Sequence, residues 1–182
     1  LEFDGIAVGI TAGDIVYNTG WKNGFSENIA SSSGSLVSNI DGKHPCSYRG
    51  IESPFGDVYQ WVDGININEL QAWVAKDAED YASNVFANPY EKLGYINAAA
   101  NNYVDKMGFD PRYPFAEFPV NTSGSSSTYY SDYYYQATGQ RVARFGGSWA
   151  FGSLAGVSFW YLSSTSSDAN VAIGGRLLKK AL

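Results

Sequence analysis

The chain has 182 residues, 45% of them hydrophobic and 16% aromatic, enough for one substantial core and short for two, so a single domain over 1–182 is expected. A formal net charge of -6 gives no attractive long-range field toward nucleic acid or an anionic membrane, and no nucleic-acid partner is expected. No apolar run approaches the roughly 20 residues of a membrane span, so no membrane insertion is expected either. Cys46 is the sole cysteine and His44 the sole histidine, which rules out an internal disulfide and a thiolate metal cluster built from this chain. His44 sits between Lys43 and Pro45 in a loop-like stretch and reads as a solvated side chain, so neither a catalytic residue, a metal nor a cofactor is expected. The chain starts at Leu1 rather than Met, as a processed or trimmed chain would.

The first part, 1–44, carries Gly5, Gly9, Gly13, Gly20, Gly24 and Gly34 between short apolar runs, a pattern of short strands and turns, with 31–35 as an exposed Ser-rich loop. At 68–81 the period changes. Leu70, Trp73, Val74, Ala78 and Tyr81 recur at spacings of three and four, and Asn68 with Gln71 forms a capping-box pattern, so an amphipathic helix is expected there. A second helix is expected over 98–107, ended by Gly108. Pro111, Pro114 and Pro119 exclude regular structure in 110–119, whose Tyr113, Phe115 and Phe118 are expected to fold over the core as an ordered loop.

A Ser/Gly stretch at 121–128 then leads into Tyr129, Tyr130, Tyr133, Tyr134 and Tyr135. Tyr and Ser together suit a recognition loop, since they offer contact area and adaptable hydrogen bonds at little entropic cost. The same residues equally suit a turn into an edge strand with one buried tyrosine face. The rest, 141–178, is strand and loop material rich in Gly and aromatics, and the whole is expected to be an α+β chain of mostly antiparallel strands, about two helices and long ordered loops.

Three short motifs are more specific. Gly56-Asp57-Val58-Tyr59-Gln60-Trp61, Gly146-Gly147-Ser148-Trp149 and Gly174-Gly175-Arg176 resemble three strands of the formylglycine-generating-enzyme branch of the C-type-lectin-like fold. The departures are Tyr59 for Trp, Gln60 for Glu, and no Phe before Arg176. Over about 45–178, Tyr48-Arg49-Gly50-Ile51-Glu52, Trp61-Val62-Asp63-Gly64-Ile65, Asp132-Tyr133-Tyr134-Tyr135-Gln136 and Ile173-Gly174-Gly175-Arg176-Leu177 resemble phage and prophage structural proteins with this domain. Many such proteins are variable partners of diversity-generating retroelements, in which template adenines are randomised.

Where relatives of that kind carry Asn, this chain has Ala150, Phe151, Leu154, Tyr161, Ser163, Ser164, Asp168 and Ala172, with Phe159 in place of Tyr. Each is reachable by changing adenines alone, while the framework residues Gly152, Ala155, Gly156, Trp160 and Leu162 between them are unchanged. Ordinary drift on a surface loop would also favour such residues. The resemblance implies a non-enzymatic domain whose C-terminal part, 141–178, is a variable ligand-binding region formed by those nine residues, with the tyrosines after Thr128 as neighbours. It implies a host cell-surface protein or glycan and other phage tail proteins as partners, at a virion tail tip or fibre or on a bacterial surface; self-association is left open.

The branch's oxidase works through a pair of cysteines, which Cys46 alone cannot supply. The Glu-Pro-Asn, Gln-Pro-Asp and Trp-Asn-Asp sequences of calcium-dependent lectins are absent; Asp63, Asp132 and Asp168 remain the oxygen donors nearest to such a role. Sugar binding without metal, and a purely structural tail or capsid decoration role, remain rivals. Trp61, Trp149 and Trp160 are expected in the core framework. Arg176, Arg49 and Arg144 are expected to be structural, tying backbone carbonyls beside the glycine-rich strands.

Overall fold

A computed structural model describes residues 47–175 apart from 49, 50, 53, 54, 57, 129, 131 and 157. The expectations on 1–44, His44, Cys46, Arg49, Arg176 and the Trp149 side chain lie outside the described residues.

Among these residues the chain is mostly β-sheet with no α-helix. β1 (Ser47–Tyr48) and β2 (Ile51–Glu52) form a small antiparallel pair. The main sheet has eight strands. β3 (Tyr59–Asn68) and β10 (Gln140–Phe145) lie antiparallel at its centre. On one side follow β4 (Gln71–Val74) and β5 (Glu91–Lys92); on the other, β11 (Trp160–Ser164), β9 (Tyr133–Gln136) and β6 (Asn102–Tyr103). β12 (Ile173–Gly174) runs parallel to the start of β3, and β9 runs parallel to β11; the other pairings are antiparallel. β7 (Lys106–Met107) and β8 (Pro119–Asn121) make a separate pair.

Neither expected helix forms. Residues 68–81 begin as a hairpin: Asn68 pairs with Gln71 across a two-residue turn, where Glu69 takes φ 57. Ala72 and Val74 are buried while Gln71 and Trp73 are half-buried, a period of two rather than 3.6. Leu70 and Val74, four residues apart, suit one face in either period, whereas Trp73 joins them only in a helix; the structure takes the strand, paired with β3. Gln71 does not cap: its Nε2 donates to the carbonyls of Ala72, Leu93 and Tyr95, tacking the next segment to the strand. In the rest of this segment, 75–81, only the 3-10 turn Ala78–Asp80 is helical.

Residues 98–107 instead supply β6 and β7, which pair with β9 and β8, and the Asn102 side chain competes for a backbone donor of the segment. Asn102 Oδ1 accepts its neighbour Tyr103 N–H at 2.8 Å, and Asn101 Oδ1 accepts Gln136 N–H at 2.7 Å.

The core lies on one face of the sheet. Ile65, Ile67, Val74, Tyr134, Ala143 and Leu162 project from the strands onto Leu93, Ala98, Val104, Tyr113, Ala116 and Phe118. The proline-rich segment closes this side as expected, with Tyr113 and Phe118 buried, but Phe115 turns outward at 60% exposure. Asp110 pins the segment: its carboxylate accepts the Gly94 N–H at 2.8 Å and holds Arg112 through Nε at 3.1 Å and Nη2 at 2.8 Å. The Arg112 guanidinium keeps that carboxyl well below the usual carboxylate range. Trp160 packs on the core between Phe118 and Phe145, at 4.8 and 5.4 Å between ring centroids, whereas Trp61 is half-buried and outside the core cluster.

Candidate functional site

The opposite face of the sheet is aromatic. Register pairs Trp61 with Arg144, Arg144 with Tyr161 and Tyr161 with Tyr135, so these four side chains form one row across β3, β10, β11 and β9. Tyr59 and Tyr133, two residues from Trp61 and Tyr135, extend the row along their strands.

The chain after β10 folds back over this row. Gly146 and Gly147 take φ 86 and 73, which side chains would resist, and at Gly147 a Cβ would run into Ala155. The 3-10 segment Trp149–Leu154 follows and sets Phe151 against four rings. Its centroid is 5.5 Å from each of Tyr59, Tyr135 and Phe159, and 6.4 Å from Tyr161. Tyr59 and Tyr135 in turn each meet both Phe159 and Tyr161 within 6 Å, and Tyr135 continues through Tyr133 to Tyr103.

At the centre of the row stands Arg144, its Cζ 4.3 Å from the Tyr59 ring centre, 4.4 Å from Tyr161 and 5.5 Å from Trp61. Its Nε and Nη1 have no hydrogen-bond partner, so the expectation that Arg144 ties backbone carbonyls is corrected: aromatic faces hold it instead. Burial pulls the guanidinium down from its ordinary value, against the opposing influence of Tyr59, Tyr161 and Asp168. The Tyr59 hydroxyl is likewise buried without a partner, and burial pushes it well above the usual tyrosine value.

The nine residues singled out from the sequence divide. Ala150 and Asp168 are exposed; Phe151, Leu154, Tyr161, Ser163 and Ala172 are half-buried. Phe159 and Ser164 are corrected as ligand-facing residues: they are 0% and 1% exposed. Phe159 is the residue on which Phe151, Tyr59 and Tyr135 rest. Asp168 folds onto its own turn, accepting from Thr165 Oγ1 at 2.8 Å, a bond that lowers its pKa with a smaller contribution from Arg144. Ala172 offers its carbonyl to Tyr59 N–H at 2.8 Å and so positions the strand that carries the central tyrosine. Of the tyrosines after Thr128, Tyr133 and Tyr135 join the row, and Tyr134 points into the core.

A groove of about 600 Å³ lies beside the row. It arises from a bulge in β3: Val142 pairs with Asn66 but the next residue, Ala143, pairs with Val62, so 63–65 loop out. Gly64 has φ 76 there, and the Tyr81 ring occupies the space a Cβ would need. Trp61, Asp63, Tyr81, Ser83 and Ser166 line the groove, and Asn84 Nδ2 bridges its rims to Ser166 Oγ at 2.9 Å. Tyr59, Trp61 and Tyr81 were not among the expected site residues. The available signal was Tyr59 and Trp61 at strand spacing on the face opposite Val62.

Among the described residues no group of three or more His, Cys, Asp or Glu stands where it could share a metal ion, and Asp63, Asp132 and Asp168 do not converge on one. No described helix is long and apolar enough to cross a membrane. Comparison with family models, with curated proteins and with solved structures finds no match.

Proposed function

We propose that this chain is a non-enzymatic ligand-binding domain of C-type-lectin-like fold, which recognises a host cell-surface protein or glycan through its C-terminal region and works among phage tail proteins at a virion tip or fibre. The observation that carries the reading is the gathering of Phe151 and Tyr161, two of the positions singled out in the sequence, with Tyr135 in one half-exposed aromatic cluster away from the core. Partly exposed rings held by a rigid sheet lose little freedom on binding, which suits them as interface anchors. Phe159 supplies the floor, so variation at the exposed positions leaves the framework standing.

A second reading, sugar binding without metal, is favoured by the groove, where the Trp61 and Tyr81 rings stand near Asp63, Ser83 and Ser166. Both readings concern one binding module.

The test replaces Ala150, Phe151, Leu154, Tyr161, Ser163 and Asp168 together with Asn and measures melting temperature and adhesion to whole bacterial cells. A folded variant that no longer adheres is expected. Unfolding, or unaltered adhesion, removes the case for a variable surface. Sequencing the gene's neighbourhood for a reverse transcriptase and a near-repeat of 149–176 tests diversification independently.

A further inference from the structure

Asp63 lines the groove with an exposed side chain, and among the described residues its carboxylate meets no hydrogen-bond donor and no cation. No other described lining residue carries a formal charge, so the groove presents a single negative site. Trp61 lies two residues before Asp63 on β3, and the Tyr81 ring lies against Gly64, the residue after it. Both rings therefore stand beside the strand segment that carries the carboxylate.

The segment 81–85, which supplies Tyr81, Ala82 and Ser83 to the groove, is fixed in place. Asn66, 2% exposed, donates from Nδ2 to the carbonyls of Ala82 at 2.8 Å and Val85 at 3.2 Å, and its Oδ1 accepts the Asn84 N–H at 3.2 Å. Tyr90 Oη accepts the Ala82 N–H and donates to the Ala82 carbonyl, both at 2.8 Å. A wall held in this way is preformed, so a ligand spends little on ordering it. Asn66 uses both amide hydrogens on the wall, which leaves the hydroxyls of Ser83 and Ser166 for a ligand. Ser166 Oγ already accepts from Asn84 Nδ2 and keeps its O–H to donate.

Arg144 does not line the groove and is 5% exposed. Its Cζ is nevertheless 5.5 Å from the Trp61 ring centre, which disfavours a second cation over that ring. A cationic ligand group is therefore directed to Asp63, and Trp61 is left for an apolar face.

We propose that the groove beside Trp61, Asp63 and Tyr81 is a subsite for an amino sugar, a hexosamine residue with a free, protonated amine. Its ammonium pairs with Asp63, the C–H face of its ring lies on Trp61, and its hydroxyls meet Ser83 and Ser166. The proposal rests on the reading of the groove as a metal-independent sugar site and names the class of sugar. N-acetylation removes the ligand's charge and a hexuronic acid carries the wrong sign, so the subsite selects against both. A lysine side chain has the ammonium but neither the ring face nor the hydroxyls. The chain's net charge of -6 adds long-range attraction for a cationic glycan.

The experiment titrates the full 182-residue chain, isotope-labelled, with glucosamine, N-acetylglucosamine, glucose, glucuronic acid and N-acetyl-lysine methylamide, at mildly acidic pH where the sugar amine is protonated. Glucosamine is expected to shift the Trp61 indole N–H and the Asp63 and Gly64 backbone N–H resonances to saturation. It should bind about threefold to fivefold tighter than glucose or N-acetylglucosamine, the scale of an exposed ion pair, and the excess should shrink in high salt. Asp63→Asn is expected to remove that preference and leave glucose binding unchanged. Equal binding of glucose and glucosamine, or a preference that survives Asp63→Asn, overturns the amine assignment and leaves a neutral-sugar groove. Tighter glucuronic acid or a tighter lysine derivative also overturns it. If no sugar moves these resonances, the sugar reading of the groove falls with the proposal, while the surface around Phe151 and Tyr161 is tested separately by cell adhesion. Should Asp63→Asn fail to fold, the ranking of the five ligands on the unsubstituted chain still separates support from refutation.

Discussion

The carboxylate of Asp132 accepts the backbone N–H of Ser158 at 2.6 Å, and so ties the start of β9 to the loop that delivers Phe159 beneath the aromatic cluster. Asp132 is 8% exposed, and burial pushes its pKa up to about 6, with the Ser158 bond opposing.

In the unfolded chain this carboxyl ionises near pH 4, as an ordinary Asp does. Between about pH 4 and 6 the folded state therefore holds a proton that the unfolded state has released, and this group's contribution to stability falls as pH rises through that window. Asp132→Asn keeps an acceptor for Ser158 and removes the charge. Urea unfolding from about pH 4 to 8 is expected to show the variant gaining on the unsubstituted protein as pH rises, by about 3 kcal/mol at most, with the gain complete just above pH 6. A stability difference that does not vary with pH would refute the assignment.

Phe118 and Trp160 join the proline-rich segment to the central sheet at 4.8 Å between ring centroids. Phe118 is fully buried, so Phe118→Ala is expected to cost about 3–5 kcal/mol, and the half-buried Trp160→Ala about 3 kcal/mol. The double variant should cost less than the sum, because each removes the other's contact. Strict additivity in denaturant melts would mean that the two rings do not share a packing site.

Gly64→Ala meets two obstacles, φ of 76 and the Tyr81 ring above it. A loss of about 1–2 kcal/mol is expected, and Tyr81→Ala in the same chain should relieve the steric part while leaving the backbone part. If Gly64→Ala melts with the unsubstituted protein, the bulge that opens the groove is wrongly placed.

Several features were legible in the sequence because they are local. The tyrosine run left open a strand with one buried face, and the structure forms one, with Tyr134 and Gln136 in and Tyr133 and Tyr135 half out, although β9 lies between β11 and β6 rather than at the sheet edge. The three prolines of 110–119 forbid a helix wherever they fall, and the segment is an ordered loop against the core. The helix expected over 68–81 does not form: Leu70 and Val74, four apart, share a face in a helix and in a strand alike, and only pairing with β3 selects the strand. In 98–107 the strand partners, β9 for β6 and β8 for β7, were equally invisible.

The sequence by itself determined the acidic balance, the single cysteine, the aromatic richness and the two positions, Phe151 and Tyr161, that the aromatic cluster brings together. Only the tertiary structure decided that Phe159 lies beneath that cluster, that Ser164 is buried, that Arg144 lies against Tyr59 and Tyr161 without acceptors for Nε and Nη1, and that Trp61 faces a groove. The reason is register. Which residue of β3 lies opposite Arg144 depends on the bulge at 63–65, and which residue of β11 does so depends on a second shift between Val142 and Arg144. A slip of one residue in either strand would turn its aromatic side chains to the other face of the sheet.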